Sequence, residues 1–217
     1  MRFKVTCIAI GLACMLPSSQ ASAIATLSSN TVIDAQESYP SDFVTVVDGL
    51  QGSTLVRVLS GGAVSGVRVT GTSRINVEGG LIKDHVSLVD RSSFTMTDGT
   101  VTCTTLACLA SDYESLLAAR DASSLFIYGG DIESLSLHDA SSVHFFGTEL
   151  RVEHLNGSDS STRLVRGTYS TGQAFAAAVF LHTDESSIVL HNTPEPDSMV
   201  SAICGLAVFG LTFRSKR

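Results

Sequence analysis

The chain has no tryptophan, and only 16% of its 217 residues are charged. Basic residues are the scarcest. Of 14 Lys and Arg, Arg2, Lys4, Arg214, Lys216 and Arg217 lie at the two ends, leaving 9 basic against 19 acidic side chains, net −10, in residues 24–192. A body of that sign repels phosphate backbones, which excludes nucleic acid as a partner bound by counterion release. It is compatible with divalent cations or neutral polysaccharide. Nucleophile motifs, metal-ligand spacings and phosphate loops are also missing, so no catalytic residue, metal or cofactor is expected. His85, His138, His144, His154, His182 and His191 share no single position in the sequence pattern and read as surface or turn histidines. Helical spacing is absent between residues 44 and 192, with Tyr113 to Arg120 the best exception.

Cysteine is sparse as well. Cys7 and Cys14 fall in an N-terminal segment with the layout of a secretory signal. Arg2 and Lys4 form its charged start, Val5 to Leu16 its apolar centre and Ala21-Ser22-Ala23 its small-residue cleavage site. Residues 1–23 are therefore expected to be a signal peptide handed to the secretion translocon, with the mature chain starting near Ile24. Cys204 lies in the C-terminal apolar stretch, so Cys103 and Cys108 alone remain in the body. An oxidising compartment permits a bridge between them, and a pair of free thiols is the alternative.

The longest uncharged apolar stretch near the C-terminus, Met199 to Phe213, has 15 residues. A stable membrane span needs ~20, so this helix is short for a permanent anchor. It follows Pro194-Glu195-Pro196 and precedes Arg214, Lys216 and Arg217, a basic cluster that holds its end on the cytoplasmic side. Residues 193–217, with their short helix at 199–213, closely resemble the PEP-CTERM sorting signal of exported bacterial proteins. The resemblance covers only this tail. It implies processing near Pro194, Glu195 and Pro196 by an exosortase, a membrane cysteine transpeptidase-like enzyme. It also implies passage through the inner membrane to the envelope surface or extracellular matrix of a Gram-negative bacterium that makes exopolysaccharide. An ordinary tail anchor is the alternative.

Between these ends the chain repeats itself. Asp90-Arg91-Ser92-Ser93 recurs as Asp121-Ala122-Ser123-Ser124, Asp139-Ala140-Ser141-Ser142, Asp159-Ser160-Ser161-Thr162 and Asp184-Glu185-Ser186-Ser187. Degenerate copies occur at Gly71-Thr72-Ser73 and from Asp48 to Ser53-Thr54. Most copies lie 18–20 residues apart, and a short alternating run follows each, with glycine next in all but the Asp184 copy. Self-similarity at a fixed period is the mark of stacked repeats, and period-two alternation calls for strands.

The expected fold is all-β: a single-stranded parallel β-helix, or solenoid, of about seven short coils over residues 44–192. Residues 24–43 are expected to cap it. A β-sandwich would also alternate but would not place one tetrapeptide at every corner. Stacking at ~4.8 Å puts Val56, Ile75, Phe94, Leu125 and Val143 in one inward column. Val58, Val77, Met96, Ile127 and Phe145 fall in the next. The repeated Asp is expected to accept a hydrogen bond from the N–H two residues on, with Ser supporting the turn. A calcium ladder is the alternative role for that Asp. Two irregularities stand out: a surplus at 103–116, expected to protrude as a loop, and Arg163 at an inward site of the Asp159 copy.

Alternation also sends Phe126, Tyr128, His144 and Phe146 outward in neighbouring coils, beside Arg166 and Glu78. Such rings form a platform for the C–H faces of sugars, unless the 103–116 loop covers them. The expected function is a noncatalytic structural or adhesive protein of the cell surface or matrix, with exopolysaccharide as a partner. The alternative is a β-helical polysaccharide lyase or hydrolase, which needs paired carboxylates. Strict alternation places Thr97, not Asp98, beside Glu78.

Overall fold

Strands in which β-branched and aliphatic residues alternate with polar ones have one inward face each, and a chain rich in such strands has to bury that face against its own other strands. The computed structural model describes residues 24–102, 116–154 and 161–193. Among these residues there are sixteen strands and no helix. In chain order they are β1 (Ile24–Leu27), β2 (Thr31–Ile33), β3 (Tyr39–Val46), β4 (Leu55–Leu59), β5 (Ala63–Val69), β6 (Arg74–Ile82), β7 (Val86–Leu88) and β8 (Ser93–Val101). They continue as β9 (Leu117–Ala119), β10 (Ser124–Ile127), β11 (Asp131–Ile132), β12 (Ser134–Leu137), β13 (Ser142–His154), β14 (Thr162–Thr168), β15 (Ala174–Leu181) and β16 (Ser187–Asn192). All belong to one mixed, mostly parallel sheet.

Equivalent strands of successive repeats pair in register. Val56 lies opposite Ile75, Ile75 opposite Phe94, Phe94 opposite Leu125, and Leu125 opposite Val143. Val58, Val77, Met96, Ile127 and Phe145 form the adjacent column in the same way. All ten side chains are buried, as both expected columns require. The second run of each repeat makes another pair of columns. One is Val44, Val67, Val86, Leu117, Leu135 and Val179; the other is Val46, Val69, Leu88, Ala119, Leu137 and Leu181. A shorter third column joins Val64, Ile82, Val101 and Ile132. Nearly all of these residues belong to one hydrophobic cluster, with Leu181 packed against its margin.

Residues 24–43, set apart above as a cap, contribute β1 and β2 and join the ladder. Ile24–Leu27 pairs with Phe43–Val46, and Thr31–Ile33 with Val56–Val58. At the other end the Asp159 copy leaves the parallel pattern. Its strand β14 runs antiparallel to both β13 and β15, and β16 pairs directly with β13, Ile188 against Val143 and Leu190 against Phe145. Arg163 sits in this strand, where the pattern expects an inward apolar residue. In the parallel stack its charge would enter a dry aliphatic column, at a cost of several kcal/mol. In the antiparallel strand Arg163 lies half-buried opposite Val179 and donates to the Thr162 carbonyl, while Val165, two residues on along the same face, is fully buried.

The corner tetrapeptide also works differently from an Asx turn. Asp90, Asp121 and Asp139 have φ of 64°, 57° and 54°, the left-handed region that Asp tolerates better than most residues. Each carboxylate accepts from the backbone N–H of the corner one repeat earlier: Asp90 from Gly71 at 2.9 Å, Asp121 from Asp90 at 2.9 Å, Asp139 from Asp121 at 3.2 Å. In-register stacking puts that neighbouring N–H within reach. Asp34, outside the repeat, does form a local turn, accepting from Gln36 and Glu37. Gly71 stands where the pattern has Asp because the Asp48 carboxylate, bound to Thr72 and Ser73, would collide with a Cβ there. The third residue of the motif faces inward: Ser73, Ser92, Ser123 and Ser141 are all buried.

Several expected features lie outside the described residues. They are the signal with Ala21 and Ala23, Cys103 and Cys108 with nearly all of the 103–116 loop, the Pro194-Glu195-Pro196 motif, the 199–213 helix, and Arg214, Lys216 and Arg217. No helix long and apolar enough to cross a membrane occurs among the described residues.

Candidate functional site

Parallel pairing in register stacks outward residues as strictly as inward ones. On the face formed by β4, β6, β8, β10, β13 and β16, this brings Phe126, Tyr128, His144 and Phe146 together, with a fifth ring, His191, beyond them. Tyr128 and Phe146 are parallel with centroids 4.0 Å apart, and Phe146 and His191 follow at 4.2 Å. Phe126 stacks on His144 at 4.9 Å, and His144 on His191 at 5.3 Å. Tyr128 is 36% exposed, and the other four rings are half-buried.

His191 escapes a reading of the sequence because the pattern stacks the Asp184 copy on the Asp159 copy. The structure seats it on β13 instead, so Phe146 faces His191. The histidines are therefore not all isolated. His144 Nδ1 lies 3.0 Å from His191 Nε2, and His138 stacks on His182 at 4.0 Å. The signal that could have found the pair is the tetrapeptide itself, since both Asp139 and Asp184 precede a Ser-Ser with an outward His downstream.

Arg166 and Glu78, expected beside the rings, have other partners. Arg166 lies 3.6 Å from Glu153, and Glu78 receives two hydrogen bonds from Arg57, at 2.9 and 2.6 Å. Arg57 is the main cause holding the Glu78 carboxyl below its usual range. The register near Glu78 also differs from strict alternation: Leu59 opposes both Glu78 and Gly79, a bulge made with Gly79 at φ 106°. A separate one-residue shift between β6 and β8, just after the Val77–Met96 pair, puts Asp98, not Thr97, opposite Glu78. The two carboxylates are thus neighbours, but an acid kept ionised by a bidentate guanidinium is poorly suited to donate a proton. Among the described residues no group of three or more His, Cys, Asp or Glu could hold a metal ion.

Beside the rings runs a shallow groove of about 580 Å³ whose lining includes Arg74, Asn76, Arg91, Thr95, Ser124 and Phe126. It shares Phe126 with the aromatic ladder. Ring faces and hydrogen-bonding side chains therefore adjoin on one side of the molecule, over a backbone held rigid by the ladder beneath.

Burial, followed by the neighbouring His191, holds the His144 imidazole below the ordinary histidine value of 6.5, and burial does the same for His85. The folded protein then binds fewer protons than the unfolded chain just below pH 6.5. This stabilisation is present above that pH and is lost as pH falls through the lowered values. The expected result is a lower Tm at pH 5.5 than at pH 7.5, with a smaller difference in His144→Phe. A Tm equal or higher at pH 5.5 would contradict this.

The chain was compared with family models, with curated proteins and with solved structures, and none of them matches it.

Proposed function

We propose that the protein is an exported, noncatalytic structural or adhesive component of the cell surface or exopolysaccharide matrix, built as a single-stranded parallel β-helix and contacting polysaccharide through its aromatic ladder. The observation that carries this proposal is the continuous outward stack of Tyr128, Phe146 and His191 with Phe126 and His144 alongside. Stacked rings on a stiff sheet offer flat apolar area already fixed in place, so a sugar face binds without an ordering cost. The helical reading of the body is supported by five inward columns that climb from repeat to repeat through parallel pairs. The delivery route rests on the signal-like start and on the PEP-CTERM-like tail, which would engage an exosortase-type enzyme.

The test uses protein recovered from the native envelope and medium. Mass spectrometry of its ends should show a start near Ile24 and processing near Pro194–Pro196. The same preparation should be retained on the host exopolysaccharide. Replacing Phe126, Tyr128 and Phe146 together by Ser should reduce retention at least tenfold, since three stacking contacts at about 0.5–1.5 kcal/mol each are removed. These side chains face outward, so circular dichroism should remain that of the parent. Unchanged retention would end the adhesive proposal. Release of reducing ends or unsaturated sugars by the purified protein would favour the enzyme alternative.

A further inference from the structure

Arg74 and Arg91 differ from Arg57, Arg151 and Arg166 and, like Arg68 and Arg120, have no carboxylate partner among the described residues. Arg57 is clamped to Glu78, and Arg151 and Arg166 gather on Glu153. Arg74 and Arg91 line the groove beside Phe126, are exposed, and have no side-chain hydrogen bond or ion pair among the described residues. In a body of net charge −10 carboxylates are plentiful, so two neighbouring cations left without one are notable. The fold sets their spacing. Arg74 lies opposite Ser93 in the adjacent repeat, and Arg91 is two residues before Ser93 at the corner. The two arginines thus belong to successive rungs of a ladder with a spacing of ~4.8 Å, offset by two positions along the strand. Between and beside them are the Ser93, Thr95 and Ser124 side chains and the ring of Phe126.

Resting on the proposed polysaccharide contact, we infer that this groove binds the carboxylates of an acidic, uronate-bearing polysaccharide. A guanidinium presents a planar fork that matches a carboxylate with two parallel hydrogen bonds. The hydroxyls suit sugar hydroxyls, and Phe126 continues into the ladder that takes the C–H faces. The charge pattern selects a sparse polyanion. The corner carboxylates of Asp90, Asp121 and Asp139 flank the arginines along the same turn column. A densely charged phosphate backbone would run over them and be repelled, whereas carboxylates separated by neutral sugar rings can meet the arginines alone. The acidic body of the protein and an acidic ligand are thereby reconciled: attraction is confined to one groove.

The experiment measures retention of the full-length chain, in detergent, on immobilised polygalacturonate and on dextran, over a range of salt. Wild type should bind polygalacturonate more tightly than dextran, with affinity falling as salt rises. Replacing Arg74→Gln and Arg91→Gln together should weaken polygalacturonate binding about tenfold or more and leave dextran binding as it was. The aromatic triple variant should weaken both. Equal polygalacturonate binding by wild type and the double arginine variant would overturn the inference while the aromatic contact stood. So would wild type that binds dextran alone, or that binds a DNA duplex as tightly as polygalacturonate. If wild type binds neither polysaccharide, the polysaccharide reading fails and this inference fails with it. Arginine side chains in open solvent are not needed for folding, so an unchanged Tm accompanies the expected result.

Discussion

Phe94→Ala is expected to lower the free energy of unfolding by about 3–5 kcal/mol, the cost of deleting a fully buried aromatic side chain and leaving a cavity. Phe94 is wholly buried, opposite Ile75 on one side and Leu125 on the other, so its loss opens a gap between two repeats at once. Domains of this size are stable by only about 5–15 kcal/mol, and the variant should sit close to the threshold for folding. Repeat architectures take most of their stability from contacts between neighbours, so the damage should be greatest locally. Hydrogen exchange should show faster exchange in β6, β8 and β10 than in β1 and β2. Its neighbour Thr95 faces outward, and Thr95→Ala should change stability by no more than about 0.5 kcal/mol. Equal costs for the two substitutions would mean that the inward column is not a shared core.

The second large effect is expected at the corners. Asp121 combines a left-handed backbone, φ 57°, with a carboxylate that accepts from the Asp90 N–H, and its own N–H donates to Asp139. Asp121→Asn keeps both the tolerated backbone and an acceptor oxygen, and should stay within about 0.5 kcal/mol of the parent. Asp121→Gly keeps the backbone and loses the acceptor. Asp121→Ala loses the acceptor and also strains the left-handed residue, for a total of about 1–2 kcal/mol. The expected order of stability by denaturant titration is therefore Asp or Asn, then Gly, then Ala. If Ala matched Gly, the left-handed corner would carry no strain. If Gly matched Asp, the carboxylate bond between repeats would contribute nothing.

Both predictions rest on features of unequal legibility. The inward columns could be read directly, because alternation assigns each residue a face and the tetrapeptide supplies a common origin for counting. Val56 to Val143 needed nothing more. The corner Asp was legible as a turn residue, but its hydrogen-bond partner was not. A local turn and a bond to the next rung use the same side chain, and they differ only in which N–H lies nearer once repeats are stacked. Glu78 shows a finer limit. A one-residue shift between β6 and β8, just after the Val77–Met96 pair, changed its opposite residue from Thr97 to Asp98, and one extra residue in a strand leaves no mark on a pattern of alternation.

The candidate site divides in the same way. Phe126, Tyr128, His144 and Phe146 were visible as outward residues of adjacent repeats. His191 was not, because finding it required knowing that the Asp159 copy would turn antiparallel and give up its place to β16. Arg163 was the clue to that departure, though one misplaced charge announces a break without telling how the chain resolves it. The groove at Arg74 and Arg91 was hidden too. Whole-chain charge averages over distance, whereas a guanidinium is paired or free according to neighbours within a few ångströms.

From the order of its amino acids alone, this protein was committed to strands, to a recurring corner and to the set of aliphatic side chains that must be hidden from water, since these follow from short-range alternation and local turn chemistry. Which repeats lie against each other, where one is skipped, and which charged groups are left without a partner were decided only in three dimensions. Those outcomes depend on competition among residues far apart in the chain, where burial of a charge, a one-residue slip or a nearer hydrogen-bond donor overrides what each repeat would do by itself.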